Sequence, residues 1–191
     1  TPGPIVLVHG LHGLYTPELS RQWDVSVFLD PDPRLRVEWK IKRDTSKRGY
    51  NREQVLRQLE NRQQDSEAYI RPQREQADIV ISFYPPPDYE ATRDDSRLNV
   101  SIVLRHPIPL PDLEDVLAAA QGGWRNRGDL LLERGAEGVD RLEISGRISD
   151  AATDTIEARM WDHMPAVRHL RSDRVGLFQD GAVARRSNPL A

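Results

Sequence analysis

Three short runs rich in apolar residues, Ile5-Val6-Leu7-Val8, Asp24 to Leu29 and Ala77-Asp78-Ile79-Val80-Ile81, are separated first by a short polar stretch and then by stretches of helical pattern. Such alternation leaves few architectures open, because a strand that is apolar throughout must be covered on both faces, and intervening helices supply the cover. The run from Ile5 ends at His9-Gly10 and predicts a strand buried on both faces of a parallel sheet. Asp30-Pro31-Asp32-Pro33 combines turn chemistry with an N-cap and opens a helical pattern through Leu35, Val37, Trp39 and Ile41 that ends near Gly49. Asn51 caps a further helix carrying Val55, Leu56 and Leu59. Residues 1–84 therefore read as part of a doubly wound α/β domain.

Pro85-Pro86-Pro87 and the polar stretch to Arg97 form the expected linker, since a proline run cannot pair inside a central strand. Periodicity changes beyond it. Short strands are predicted at Asn99 to Leu104, Leu130 to Leu132 and Arg141 to Ile144, with helices at Leu113 to Ala120 and Ala151 to Trp161. Residues 98–191 are thus a smaller α+β segment appended to the α/β part, and the sequence contains no internal repeat or low-complexity stretch.

A length of 191 residues suits one large domain or one and a half small ones. Hydrophobic residues at 38%, charged residues at 30% and a net charge of -3 argue against a disordered or nucleic-acid-coating chain, so no nucleic-acid partner is expected. No apolar run approaches the roughly 20 residues that cross a bilayer, which leaves no membrane partner and a cytoplasmic location as the expectation. The absence of cysteine excludes disulfides, thiolate metal sites and cysteine nucleophiles from this stretch. The opening residue, Thr1, leads within a few positions into an apolar strand, so the chain reads as a fragment or processed product.

Trp39-Lys40-Ile41-Lys42-Arg43-Asp44-Thr45-Ser46-Lys47-Arg48-Gly49 holds the densest chemistry. Helical geometry puts Lys40, Arg43, Asp44 and Lys47 on one stripe with Arg48 at its edge, so several cations surround one carboxylate. Arginine presents a planar fork to a phosphate and lysine a compact charge, while an aspartate can accept a proton from a hydroxyl. A small-molecule kinase needs such a set on its acceptor side. An ordinary solvated face with intrahelical ion pairs has the same spacing, and periodicity does not choose between the two.

The string Trp39 to Asp44, followed by Arg48-Gly49, resembles the acceptor-side motif of the phosphoribulokinase and uridine kinase family of P-loop kinases. Gly10-Leu11-His12-Gly13-Leu14-Tyr15 and Ala68-Tyr69-Ile70-Arg71-Pro72-Gln73, leading into Ala77-Asp78-Ile79, resemble its phosphoribulokinase branch in the same order. The resemblance implies a P-loop kinase-type sheet and phosphorylation of ribulose 5-phosphate to ribulose 1,5-bisphosphate in carbon fixation. ATP and Mg2+ are the implied cofactors, and a homo-oligomer the implied assembly. Lys40, Arg43 and Arg48 would contact the sugar phosphate or the transferred phosphoryl group, with Asp44 and Arg43 catalytic and His12 lining the sugar pocket. Gly176-Leu177-Phe178 and Ser187 to Ala191 are similar to the closing segment of bacterial members.

Two departures limit these implications. His9 stands where the family carries a glutamate that helps hold magnesium, and neutral imidazole is a poor ligand for that hard cation. The Gly-x-x-x-x-Gly-Lys-Ser/Thr loop that cradles ATP phosphates is absent from the 191 residues, so this stretch alone is expected to be inactive. Competing readings are a uridine kinase-like nucleoside kinase and a degenerate relative that binds a sugar phosphate or partner enzyme without turnover. An α/β-hydrolase is suggested by Pro4 to Gly10 but lacks a Gly-x-Ser-x-Gly elbow. A metal site on His9 and His12 would lack further ligands nearby.

Overall fold

The computed structural model describes residues 5–90, 97–105, 129–135, 138–172, 174, 177–180 and 183–186, the last two stretches by their backbone. The chain divides into two compact units, Thr1–Ser82 and Phe83–Ala191.

In the first unit residues 5–10 form no regular secondary structure, and Ile5 and Leu7 are each 89% exposed. The expected buried strand at Ile5 to Val8 is therefore not formed. An apolar run becomes a buried strand only when neighbouring strands take up its backbone hydrogen bonds and cover its faces, and no described strand pairs with this one. A short helix α1 (Pro17–Ser20) follows, its first turn capped by Thr16, whose Oγ accepts a hydrogen bond from Leu19 N. Strand β1 (Val27–Leu29) is shorter than the pattern from Asp24 suggested, because Ser26 instead binds Asp78. The Ser26 amide and hydroxyl both donate to Asp78 Oδ2, at 2.7 and 2.6 Å.

Helix α2 (Pro33–Lys47) begins as its sequence dictates: Asp32 Oδ1 accepts from Arg34 N at 2.8 Å, and proline occupies the first turn, where its missing N–H costs nothing. Helix α3 (Arg52–Asn61) starts with a reciprocal capping box between Asn51 and Gln54 and packs against α2. A short α4 (Gln63–Asp65) runs into a π turn at Ser66–Ile70 and a 3-10 turn at Arg71–Gln76. Strand β2 (Ile79–Tyr84) then pairs parallel with β1, with Phe28 opposite Val80. Leu14, Leu35, Val55, Ala77 and Val80 are the buried apolar residues of this unit.

In the second unit β3 (Asn99–Arg105) and β4 (Leu130–Arg134) both run antiparallel to β5 (Val139–Ile144), so Ile102 and Leu132 flank Leu142. The strands predicted at Asn99, Leu130 and Arg141 are thus present, each within a longer element. Helix α5 (Asp150–Asp162), capped by Ser149, supplies Ala152 and Ile156 to a core that includes Val100, Val103, Leu104, Ile144 and Ile148. A hairpin of β6 (Leu177–Asp180) and β7 (Val183–Arg186) ends the described chain. The fold class is α/β with five principal strands of mixed rather than purely parallel orientation. The predicted helix at Leu113 to Ala120 and the segment from Ser187 lie outside the described residues.

Leu35 is fully buried, so Leu35→Ala should cost about 3 kcal/mol of stability in urea unfolding, through lost transfer energy and the cavity left behind. Ile5→Ala should change stability by less than about 0.5 kcal/mol, since that side chain is already in water.

Candidate functional site

The last turns of α2 are organised by one carboxylate. Asp44 is 1% exposed, and a charge buried to that extent persists only when it is paired. Lys40, one turn earlier, reaches Asp44 Oδ2 at 2.9 Å; Arg43 Nε donates to Oδ1 at 2.8 Å; and Arg48 Nη1 lies 3.4 Å from the same oxygen. The main chain closes around the same residue. Asp44 O accepts from both Arg48 N and Tyr50 N at 3.2 Å, a reversal that Gly49 permits by taking a φ of 70°.

Arg48 joins the carboxylate from four residues further along, the ordinary spacing of a helical ion pair, whereas Lys47, expected on the same stripe, makes no ion pair with it. Lys47 is the last helical residue, and the Arg48 N–H still makes the helical bond to Asp44 O before Gly49 turns the chain. Lys40 also donates to Gln58 Oε1 at 3.5 Å, which joins the cluster to α3.

The hydrogen bond from Arg43, followed by that from Lys40, holds the Asp44 carboxyl well below the usual carboxylate range, and Asp44 in turn raises Arg43. Asp44 is thus suited to holding cations in place and is a weak proton acceptor near neutrality. Three cations against one carboxylate leave an excess of two positive charges. Arg43 and Arg48 are 51% and 56% exposed; Arg43 commits one N–H of its guanidinium to Asp44, and Arg48 makes an ion pair with it at 3.4 Å. The remaining donors suit an anion with several oxygens, such as a phosphate.

His12 lies on a separate loop, outside the ion pairs of Asp44. Its ring meets Tyr15 edge-on with centroids 5.7 Å apart, and Tyr15 meets Tyr69 in the same manner at 5.8 Å. Trp23 Nε1 donates to Gly13 O at 2.8 Å, and Gln73 binds the backbone on either side of His12. A path of contacts relates this loop to α2: Arg36, one turn before Lys40, donates to Ser66 Oγ at 3.5 Å, and Ser66 begins the π turn that carries Tyr69. Sequence reasoning missed Gln58, Gln73 and Trp23. Gln73 falls within a quoted motif, but its partners are about sixty residues away, and no local pattern signals them. Among the described residues no group of three or more His, Asp and Glu is arranged to hold a metal ion.

Residues 1–89 match the model of the phosphoribulokinase / uridine kinase family. Phosphoribulokinase of Synechocystis sp. is 38% identical over 84 residues, 44% of this chain and 25% of the relative. Chloroplastic phosphoribulokinase of Spinacia oleracea is 37% identical over 84 residues, covering 44% and 21% of the two chains. Uridine-cytidine kinase B of Dictyostelium discoideum is 33% identical over 78 residues, covering 40% and 32%. The chain thus spans about a quarter of the length of the first curated relatives it matches. Among solved structures, phosphoribulokinase from Rhodobacter spheroides aligns with a TM-score of 0.53 at 23% identity, over 83% of this chain and 55% of that one. At that identity the likeness concerns the fold, which is that of a phosphoribulokinase.

Pairing lowers the folded pKa of Asp44, so it contributes stability at pH values above the unfolded pKa of about 4, and that contribution fades as pH falls further. The stability difference between wild type and Asp44→Asn, from urea unfolding at a series of pH values, should be constant above about pH 5 and shrink below about pH 4. A gap unchanged down to about pH 2 would show that ionisation of Asp44 is not what the cluster uses.

Proposed function

We propose that this chain, which belongs through residues 1–89 to the phosphoribulokinase and uridine kinase family, forms the acceptor side of a kinase that phosphorylates ribulose 5-phosphate. The observation that carries this reading is the cation cluster: Lys40, Arg43 and Arg48 fixed on one buried carboxylate, with two guanidinium groups half in solvent. A sugar phosphate brings a dianion that two arginine forks can grip. The side chains are already held, so little rotamer freedom remains to be lost on binding.

Within this reading Arg43 and Arg48 bind phosphoryl oxygens, and Lys40 neutralises charge from its place nearer the helix core. Asp44 sets the three in position, and His12 faces the sugar. The family implies ATP and Mg2+ for the whole protein, but the residues present do not fit that half of the chemistry. The phosphate-cradling loop is missing from the sequence, and His9 is a poor magnesium ligand. The assignment made from these residues is accordingly to acceptor recognition.

A nucleoside kinase is the second reading, favoured by the likeness to uridine-cytidine kinase B. The higher identity of the Synechocystis and spinach phosphoribulokinases, 38% and 37%, and the longer, 107-residue match to the wheat chloroplastic member at 31%, support the sugar phosphate instead. A non-catalytic sugar-phosphate binder would use the same clamp.

Calorimetric titration should show ribulose 5-phosphate binding to the chain and uridine failing to bind. Arg43→Ala and Arg48→Ala should each weaken the sugar phosphate about tenfold, as expected for a lost charge-assisted hydrogen bond. Binding of uridine alone, or unchanged affinity in both variants, would overturn the assignment. ADP release by a longer protein containing this sequence would separate the kinase from the non-catalytic binder.

A further inference from the structure

The loop between Leu11 and Tyr15 has no regular secondary structure, and His12 on it is exposed, yet its backbone is held tightly. The carboxamide of Gln73 does most of this. Gln73 is 4% exposed; its Nε2 donates to Leu11 O at 2.9 Å and to Tyr69 O at 2.7 Å, and its Oε1 accepts from Leu14 N at 2.9 Å. Both amide hydrogens face carbonyls and the oxygen faces an N–H, so the network fixes the amide orientation. Leu11 and Leu14 bracket His12 and Gly13, and Trp23 Nε1 takes the carbonyl of Gly13 between them. The turn is completed by Tyr15 N donating to His12 O at 3.3 Å.

An exposed loop needs no such restraint for stability alone, because ordering each residue costs backbone entropy and its carbonyls could be satisfied by water. What the restraint achieves is to set the rings of His12 and Tyr15 at a constant height against Tyr69. The π turn at Ser66–Ile70, a conformation frequent at functional sites, carries Tyr69 and its carbonyl into that arrangement.

We propose that Gln73 is the positioning residue that presents His12 and Tyr15 to the sugar hydroxyls of the acceptor, acting through the backbone of Leu11 and Leu14 without touching the ligand. The inference rests on the acceptor reading given above. It separates two recognitions within one site: the cation cluster takes the phosphate, and the loop held by Gln73 takes the polyol.

The test compares inorganic phosphate with ribulose 5-phosphate, each titrated calorimetrically into the whole chain. Gln73→Met keeps the side-chain length and removes all three hydrogen bonds. It should raise the Kd for ribulose 5-phosphate about tenfold while the Kd for phosphate stays within about twofold. His12→Ala should also weaken the sugar phosphate selectively, and the double variant should bind no more weakly than Gln73→Met alone, because that change already releases the loop that presents His12. Equal weakening for both ligands would reveal a general structural role and overturn the proposal, as would additive losses in the double variant. If Gln73→Met lacks the wild-type circular dichroism spectrum, Trp23→Phe, which removes one hydrogen bond to the same loop, should raise the sugar-phosphate Kd about threefold and leave phosphate unchanged. No change there overturns the proposal. A wild-type chain that binds phosphate but not ribulose 5-phosphate removes the acceptor reading and the positioning role together. Sugar-phosphate binding that is indifferent to Gln73→Met removes the positioning role alone.

Discussion

A carboxylate taken out of water is among the most costly groups a fold can contain, and Asp44 is tolerated because three cations and a closed turn surround it. The exchange organises much of what lies around it. Lys40 is held one turn below, Arg43 lies across one oxygen, and Arg48 is drawn back beyond the end of the helix. Gly49 gives the chain the reversal that lets Tyr50 reach the Asp44 carbonyl. Through Lys40 and Gln58 the same charge joins α2 to α3. Surface ion pairs at similar distances would contribute little, since water screens them and long side chains lose freedom in making them. Here one partner is buried and common to all three, so the cations are ordered together.

That arrangement also separates holding from proton transfer. A general base works best with a pKa near the operating pH, and the bonds that keep Asp44 ionised move it away from that range. The residue whose sequence context most suggests acid-base chemistry is thus placed as an anchor for positive charge. In the proposed reading the cluster acts on its ligand through its exposed guanidinium groups, which can neutralise charge without exchanging a proton.

Local chemistry made some of this legible in advance. Asp32 with Pro33, and Asn51, mark their helix starts, and the structure forms both caps, the second with the reciprocal bond from Gln54 added. Lys40, Arg43 and Asp44 are related by helical spacing alone. Arg48, expected at the edge of that stripe, pairs with the carboxylate at the i, i+4 spacing, whereas Lys47, expected on the stripe, does not. Ile5 to Val8 was misread for a different reason: an apolar run records that burial would be favourable, not whether a neighbouring strand is there to provide it. Gln73 carries no local signal, since one amide in a polar stretch looks like any other until the fold brings Leu11 and Leu14 to it.

The two parts of the proposed acceptor region also differ in what stabilises them, and this bears on how each can recognise a ligand. The cation cluster is electrostatic and half in solvent, so added salt weakens its hold on an anion, and any phosphorylated compound could compete for it. The loop of His12 is set by neutral hydrogen bonds to a buried amide, which salt screens far less and which fix orientation more than strength. In the proposed reading, discrimination among phosphorylated compounds therefore cannot come from the arginines, which respond to charge and to the shape of a phosphate common to all of them. It has to come from the neutral, rigidly placed groups that meet the remainder of the molecule, where a misplaced hydroxyl leaves a polar group unpaired.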